Sequence, residues 1–176
     1  MFQSFKQFVP SLVCLSCDGC CRFKETESIW QPKMSAEEIN QAERNGLARQ
    51  ILTKAVSVKG GPLQTTKCGD GHCCTFFNHD DNTCRIYEHR PFECQLYPFL
   101  LTKRDSQIYL AVHLLCPFVQ EHYDTPVYAQ YVQYLKEFFQ QTQTQLFLQR
   151  NLVLAGDYSV FQNEIEYISE IRLTVG

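Results

Sequence analysis

The apolar residues in the last third of the chain recur every three or four positions. The series consists of Tyr128, Tyr131, Leu135, Phe138, Phe139 and, after a polar gap, Leu146. This spacing places the side chains on one face of a helix, so it predicts a long amphipathic helix from Val127 to about Leu148 whose aromatic stripe packs in a core. Pro126 suits the first position of that helix, because the N–H that proline lacks has no helical partner there.

Three other patterns complete the expected fold. Apolar runs at 96–102 and 108–115 flank a polar tetrapeptide and predict a β-hairpin. Ser35 and Glu38 have the spacing of a capping box, which predicts a helix that ends near Asn45 and Gly46. A second C-terminal helix is predicted from five apolar positions, namely Val160, Phe161, Ile165, Ile168 and Ile171.

Composition and charge narrow the class of protein. The 176 residues are 44% hydrophobic and 20% charged, which is typical of a folded globular chain and not of a disordered one. The formal net charge of -3 argues against a nucleic-acid binder that uses a basic face. No apolar run approaches the ~18 residues of a membrane span, and the N-terminus shows no export signal. We therefore expect a cytoplasmic protein with no membrane span and no nucleic-acid partner.

The chain contains 10 cysteines, all within its first two thirds. They are Cys14, Cys17, Cys20, Cys21, Cys68, Cys73, Cys74, Cys84, Cys94 and Cys116. A secreted disulfide scaffold is usually shorter, with cysteines spread along its whole length. In a reducing cytosol, clustered cysteines more often bind metal or carry out redox chemistry, so we favour these classes over a disulfide framework.

The spacing of the first cysteines favours metal binding. Cys14, Cys17 and Cys20 follow one another at intervals of three, which lets three sulfurs converge from a tight turn or short helix. Gly19 fits such a turn, because glycine adopts unusual dihedral angles at little cost. Cys21 points away from its neighbour Cys20, towards a different centre or a different face of the same one.

A second group of cysteines lies downstream. The polar segment 78–83 is rich in turn-forming residues and predicts that Cys84 folds back beside Cys74. A short helix after Cys84 should end near His89, because Pro91 disfavours helical dihedral angles in the residue before it.

These motifs resemble the YkgJ-type CxxCxxCC family, which is described as a zinc- or iron-chelating domain and in some descriptions as an iron–sulfur protein. The matching segments are C-x-x-C-x-x-C-C at 14–21, C-T-F-F at 74–77, C-R-I-Y at 84–87, R-P-x-x-C at 90–94 and Y-P-F at 97–99. The resemblance covers about residues 14–117 and implies eight metal-binding cysteines, which are Cys14, Cys17, Cys20, Cys21, Cys74, Cys84, Cys94 and Cys116. Cys68 and Cys73 are additional to the family pattern and stay open as ligands. Gln95 stands where the family usually has arginine, which removes one positive charge near the expected site.

The cysteines alone do not select one metal. Four thiolates suit either zinc or an iron–sulfur cluster, because soft sulfur ligands favour both. We favour an iron–sulfur cluster, with Zn²⁺ as the alternative. Cys74, Cys84 and Cys94 are widely spaced, and C-x-x-C-x-x-C resembles the start of a bacterial ferredoxin run.

Either centre carries excess negative charge from its thiolates. Arg90 is the strongest candidate to offset it, because the fork of a guanidinium spans carbonyl and sulfur acceptors. Arg22 and Lys67 are expected to be solvated surface charges. His72 is expected to be a loop histidine, since the cysteines already supply enough ligands, and His113 a packed or solvated side chain.

The sequence thus predicts an α+β fold. Residues 1–120 form a cysteine-rich, loop-built metal-binding module with a small β-hairpin, and 121–176 form an extension of two C-terminal helices packed on it. The favoured function is a metal-chelating protein whose clustered thiolates bind an iron–sulfur cluster or zinc as a structural or electron-transfer centre. The alternative is an enzyme that uses such a centre, because flagellin lysine N-methylases have a similar cysteine pattern, although no catalytic residue is identifiable. A thiol redox or metal-storage protein is a third class, which Cys14 and Cys17 permit.

Overall fold

The computed structural model describes residues 6–17, 19–47 and 60–173. The chain divides into two units, Met1–Gln95 and Leu96–Gly176. Helices and small antiparallel sheets occur together, and the α+β class predicted from the sequence is confirmed. Among the described residues, no helix is both long and apolar enough to cross a membrane.

The first unit is built from short elements. Its helices are α1 (Ser11–Leu15), α2 (Ala36–Arg44) and α3 (Phe92–Leu96), and 3₁₀ turns occupy Gly19–Cys21 and Tyr87–His89. Its strands are β1 (Arg22–Phe23), β2 (Lys33–Met34), β3 (Gly61–Pro62), β4 (Thr65–Cys68), β5 (Gly71–Cys74), β6 (Phe77–Asn78) and β7 (Thr83–Cys84). They pair antiparallel in the orders β1–β5–β4, β2–β3 and β6–β7. The turn that ends at His89 is the short helix predicted there.

Side-chain capping sets the start of α2. Ser35 Oγ accepts a hydrogen bond from the backbone N–H of Glu38, whose carboxylate accepts one from the backbone N–H of Ser35. The predicted capping box is therefore confirmed. The helix ends at Asn45, and Gly46 takes a φ of 89° there, a left-handed value that favours glycine.

Cysteines share the core of the first unit with apolar side chains. Cys73 and Cys74 are buried in this core, and Cys21, Cys68 and Cys84 pack against it partly buried. Its other members are Phe23, Met34, Ile39, Ala42, Leu63, Phe76, Phe77 and Ile86. The packing of this unit is therefore tied to the state of its sulfur atoms.

The second unit has longer elements. Its helices are α4 (Pro117–His122), α5 (Pro126–Gln140) and α6 (Thr142–Arg150), and its strands are β8 (Phe99–Arg104), β9 (Gln107–His113) and β10 (Ile165–Ile171). The strands form one antiparallel sheet in the order β10–β9–β8. Asp105 and Ser106 join β8 to β9 with φ values of 49° and 65°, as a two-residue hairpin turn requires. The predicted hairpin is confirmed.

The segment predicted as the last helix is a strand. β10 pairs with β9 through a register shift between Tyr167 and Ser169. Such a bulge inserts an extra residue and breaks the two-residue alternation of a strand. Ile165, Ile168 and Ile171 are left at three-residue intervals, which is also helical spacing, so the helix prediction was wrong for this segment.

The long helix predicted over 127–148 is two helices. Thr125 caps α5 by accepting a hydrogen bond from the backbone N–H of Tyr128, and Pro126 occupies the first turn as predicted. The chain leaves the helix at Gln141, whose ψ of 134° is extended, and α6 begins one residue later. The break falls in the polar gap that interrupts the apolar series.

The aromatic stripe of α5 packs in the core of the second unit. The ring of Phe99 on β8 lies 5.9 Å from that of Tyr128 and 5.2 Å from that of Tyr131. Leu110 of β9 and Leu135 of α5 are fully buried. The interpretation of this stripe as core is confirmed.

Candidate metal centre

Six of the predicted ligands come together in the first unit. Their thiols lie close enough to interact electrostatically, and Cys20 interacts with every one of the other five. We call this group the thiol cluster; it consists of Cys14, Cys20, Cys21, Cys74, Cys84 and Cys94. The six residues belong to five segments, which are α1, the 3₁₀ turn Gly19–Cys21, β5, β7 and α3.

A polar turn brings Cys84 to this group. The carboxylate of Asp81 accepts hydrogen bonds from Asn78 Nδ2 at 2.8 Å, from Thr83 Oγ1 at 2.6 Å and from the backbone N–H of Thr83 at 3.1 Å. These contacts close the turn between β6 and β7 and place Cys84 opposite Phe77. Cys84 interacts electrostatically with Cys74, so the prediction that this polar segment folds the two together is confirmed.

Two partly buried carboxylates hold the helix that carries Cys94. Glu93 of α3 accepts a hydrogen bond from the backbone N–H of Lys33 and lies 3.7 Å from its ammonium group. Glu38 accepts a hydrogen bond from the backbone N–H of Phe92. Burial raises the pKa of Glu93 to about 7, although the charge of Lys33 opposes that shift. The start of α3 is thus anchored to α2 and β2, which fixes the position of Cys94.

Neighbouring thiols and burial favour the protonated form of Cys21, Cys74 and Cys94. Burial raises the pKa of Cys74 to about 11 and the pKa of Cys94 well above the usual thiol value, and neighbouring thiols add to both shifts. For Cys21, a hydrogen bond with Cys20 is the largest cause of a raised pKa, followed by burial. A metal ion that binds these sulfurs must therefore displace protons from them.

Arg90 is the cation that the structure places against the cluster. It is buried, and its guanidinium donates hydrogen bonds to Cys14 Sγ at 3.2 Å and to Gln7 Oε1. The same group stacks 3.6 Å above the ring of Tyr87. Burial raises the pKa values of Cys14 and Cys84, and the charge of Arg90 opposes both shifts. The contact expected of Arg90 from the sequence is confirmed.

The remaining two predicted ligands are Cys17 and Cys116. Cys17 is exposed, just after α1. Cys116 is buried in the second unit, where it precedes α4. Their metal binding stays a prediction.

The two additional cysteines have a separate arrangement. Cys68 and Cys73 form a disulfide, with their Cα atoms 5.9 Å apart. Their sulfurs and a ring nitrogen of His79 all lie within 4.8 Å of one another. Sequence reasoning missed His79, because it lies in a polar turn and its spacing from Cys68 and Cys73 matches no metal motif.

Arg22, Lys67 and His72 lie beside cysteines in the sequence, and one of them differs from its prediction. Arg22 is exposed, as expected, and its Nη1 also donates to Cys73 Sγ at 3.7 Å and to Cys68 Sγ at 3.9 Å. His72 lies in β5 and not in a loop. Lys67 is exposed on β4, as expected.

Comparison with known proteins gives one match. A family model named CxxCxxCC and described as "Putative zinc- or iron-chelating domain" matches residues 13–124. The matched region contains all ten cysteines. Neither a curated protein nor a solved structure matches the chain.

Proposed function

Because the chain belongs to the CxxCxxCC family of zinc- or iron-chelating domains, we propose that its thiol cluster is the chelating site. We propose an iron–sulfur cluster as its occupant and zinc as the alternative. The observation that carries the proposal is that Cys20 interacts electrostatically with the five other thiols, and that the six residues come from five separate segments. Cysteines that served only as small apolar side chains would have no reason to gather in this way.

The donor set fits a soft metal centre. All six atoms are sulfur, and thiolates bind zinc and iron–sulfur clusters in preference to hard cations. One tetrahedral Zn²⁺ takes four ligands, so six thiols exceed what a single zinc ion needs. This excess favours a centre with more than one metal atom. An iron–sulfur cluster is such a centre, and it supplies one-electron redox chemistry when bound.

The charges around the cluster also support metal. Ionised thiolates in a buried site repel one another, and neutral thiols there leave weak donors without strong acceptors. A cation relieves the repulsion, and Arg90 offsets part of the charge that remains when several thiolates bind one centre. Arg90 thereby orients Cys14 towards the site.

A bound centre would cross-link the first unit. The six sulfurs belong to segments whose strands are only two to four residues long. Such segments bury little apolar surface on their own, and a metal that bridges them supplies folding free energy directly. We therefore assign the centre a structural role, to which electron transfer can be added.

Elemental analysis of protein purified without oxygen tests the proposal. Iron with a matching amount of acid-labile sulfide is expected. Zinc without acid-labile sulfide would mean that the thiol cluster holds zinc, the alternative occupant. Folded protein that contains neither metal would overturn the chelating function of the thiol cluster.

Serine variants locate the ligands. Cys94→Ser removes a sulfur from the thiol cluster and should lower the metal content of the purified protein. Cys116→Ser is the comparison variant, because Cys116 is a buried cysteine that belongs to the second unit. Metal loss in Cys116→Ser would add this residue to the ligands, as the family resemblance implies. Equal metal in Cys94→Ser and the unchanged chain would exclude the assignment of Cys94.

A further inference from the structure

We propose that the β4–β5 hairpin carries a second metal site that opens on reduction, in which Cys68, Cys73 and His79 bind one divalent ion of the zinc class. The disulfide in the structure is the closed form of this site. The site shares no ligand with the thiol cluster. It therefore stands or falls independently of the function proposed above.

The hairpin separates the two sites by strand geometry. Cys73 pairs with Thr66, and Cys68 pairs with Gly71 across the same turn. Because side chains alternate between the faces of a strand, Cys73 and Cys74 point in opposite directions. Cys74 faces the thiol cluster, whereas Cys73 reaches Cys68 on the other face. Two adjacent cysteines thus belong to different sulfur sites.

Phe77 positions the two groups that flank the disulfide. The ring of His79 lies edge-on to that of Phe77, with centroids 5.0 Å apart. The guanidinium of Arg22 lies 4.9 Å from the centre of the same ring. Phe77 itself is buried, so it provides a fixed surface beside the sulfur pair.

The three ligands form a balanced set for zinc. Two thiolates and a neutral imidazole offset the charge of one Zn²⁺, and their donor atoms already lie within 4.8 Å of one another. His79 is exposed, so the fourth position of a tetrahedral ion faces water. Three protein ligands with one open position are typical of a zinc site that exchanges its fourth ligand.

Arg22 favours the reduced, ligating form. Its Nη1 lies 3.7 Å from Cys73 Sγ and 3.9 Å from Cys68 Sγ. A guanidinium at this distance stabilises the negative charge that a sulfur carries once the reduced thiol releases its proton.

The switch is a two-electron reaction. Two molecules of a small thiol reductant lose their hydrogen atoms and become a disulfide, while the Cys68–Cys73 bond breaks and each sulfur gains a proton. A divalent ion then binds both sulfurs and releases those two protons to water. A disulfide sulfur carries no negative charge, so the oxidised hairpin lacks the thiolates that bind the ion.

Cobalt titration of the full chain tests this site, because Co²⁺ bound to thiolate absorbs by charge transfer. The Cys68–Cys73 bond is first verified by mass spectrometry of a proteolytic digest. After reduction, the unchanged chain should bind one more Co²⁺ than the Cys68→Ser/Cys73→Ser double variant. Both should retain the metal content of the thiol cluster. Equal cobalt binding by these two reduced proteins would overturn the site.

Histidine variants separate ligation from mere proximity. His79→Gln in the reduced chain should weaken binding of the additional Co²⁺ by at least ~10–100-fold. Loss of a residue that only hydrogen-bonds to a metal ligand already has an effect of this size. His89→Gln is the matched control, because His89 is another exposed histidine of the first unit. If the two variants bind cobalt equally, His79 is not a ligand and the three-residue site is rejected.

Discussion

Different interactions stabilise each of the two units internally. Strands in the first unit, Met1–Gln95, are two to four residues long, whereas those of the second unit, Leu96–Gly176, have six or seven residues. The core of the first unit includes Cys73 and Cys74 and packs against further cysteines. The second unit instead packs aromatic and aliphatic residues of α5 on one sheet.

The difference in strand length explains why the first unit needs cross-links. A two-residue strand forms few ladder hydrogen bonds and buries few side chains, so it has little stability of its own. Covalent or metal cross-links compensate for a small hydrophobic core. The Cys68–Cys73 disulfide is one such link, and a metal bound to the thiol cluster would be a second. The longer strands of the second unit bury apolar side chains such as Phe99, Leu110 and Val112.

Metal removal should give the largest difference in stability between the two units. A strong chelator with reductant should abolish protection from hydrogen exchange in β4–β7 and leave the β8–β10 sheet protected. The loss is large because structural metal binding contributes ~10 kcal/mol or more of folding free energy. Trp30, the only tryptophan of the sequence, packs against the first core, so its fluorescence reports the same change.

The outcome depends on where protection is lost. Uniform loss of protection in both units would mean that they do not differ in their dependence on metal. Readdition of the native metal should restore the fluorescence of Trp30. A chain that keeps full protection in β4–β7 after its metal has gone would exclude a structural centre.

A core truncation in the second unit should reverse this result, because it should lower protection from hydrogen exchange in the second unit and not in the first. Leu135 is fully buried on α5, and Leu135→Ala should lower the free energy of unfolding of this unit by about 2–5 kcal/mol. Hydrogen exchange in β8–β10 measures the loss. Metal content should not change. Val127→Ala is the control, because Val127 lies on the same helix with 59% of its surface exposed.

Local signals explain why much of the second unit was predictable. The cap at Thr125 and Pro126 and the hairpin depend on contacts between residues near in sequence, and so does the capping box at Ser35 in the first unit. The error at β10 has a similar origin. The isoleucines of β10 lie three residues apart, a spacing that a helix shares, and the bulge between Tyr167 and Ser169 accommodates this spacing in a strand.

The thiol cluster of the first unit depends on contacts that are distant in sequence. The motif spacing predicted which cysteines matter, but not that Cys20 is central to the cluster. Nor did it predict the pairing of Cys68 with Cys73 or the approach of His79. These contacts follow from strand register and from the β6–β7 turn, which no residue spacing specifies.

Substitution of Arg90 tests the thiol cluster of the first unit, with a smaller and more local expected effect. Arg90→Lys keeps the positive charge but cannot hydrogen-bond Cys14 and Gln7 with one planar group. Loss of such an outer contact should weaken metal binding ~10–100-fold in competition with a chromogenic chelator. Arg85→Lys is the matched control, because Arg85 follows Cys84 in the sequence but is exposed. Equal affinities of the two variants would show that the fork of Arg90 does not support the site.

The smallest effect concerns pH and the second unit. His113 of β9 interacts with the hydroxyl of Tyr97 at 2.8 Å and lies 3.8 Å from the carboxylate of Glu164. Burial lowers the pKa of His113, although Glu164 opposes the shift. In the unfolded chain a histidine takes up its proton near pH 6.5, whereas the folded chain resists protonation until a lower pH. The unfolded state therefore binds more protons between these two values, and the stability of the second unit should fall as pH drops below about 6.5.

Hydrogen exchange in β9, measured across that range, should show this decline in the unchanged chain and lose the His113 contribution in His113→Gln. The exposed His89 gives the control variant, His89→Gln, which should keep the decline. A pH profile of β9 that is the same in His113→Gln as in the unchanged chain would remove His113 as its cause.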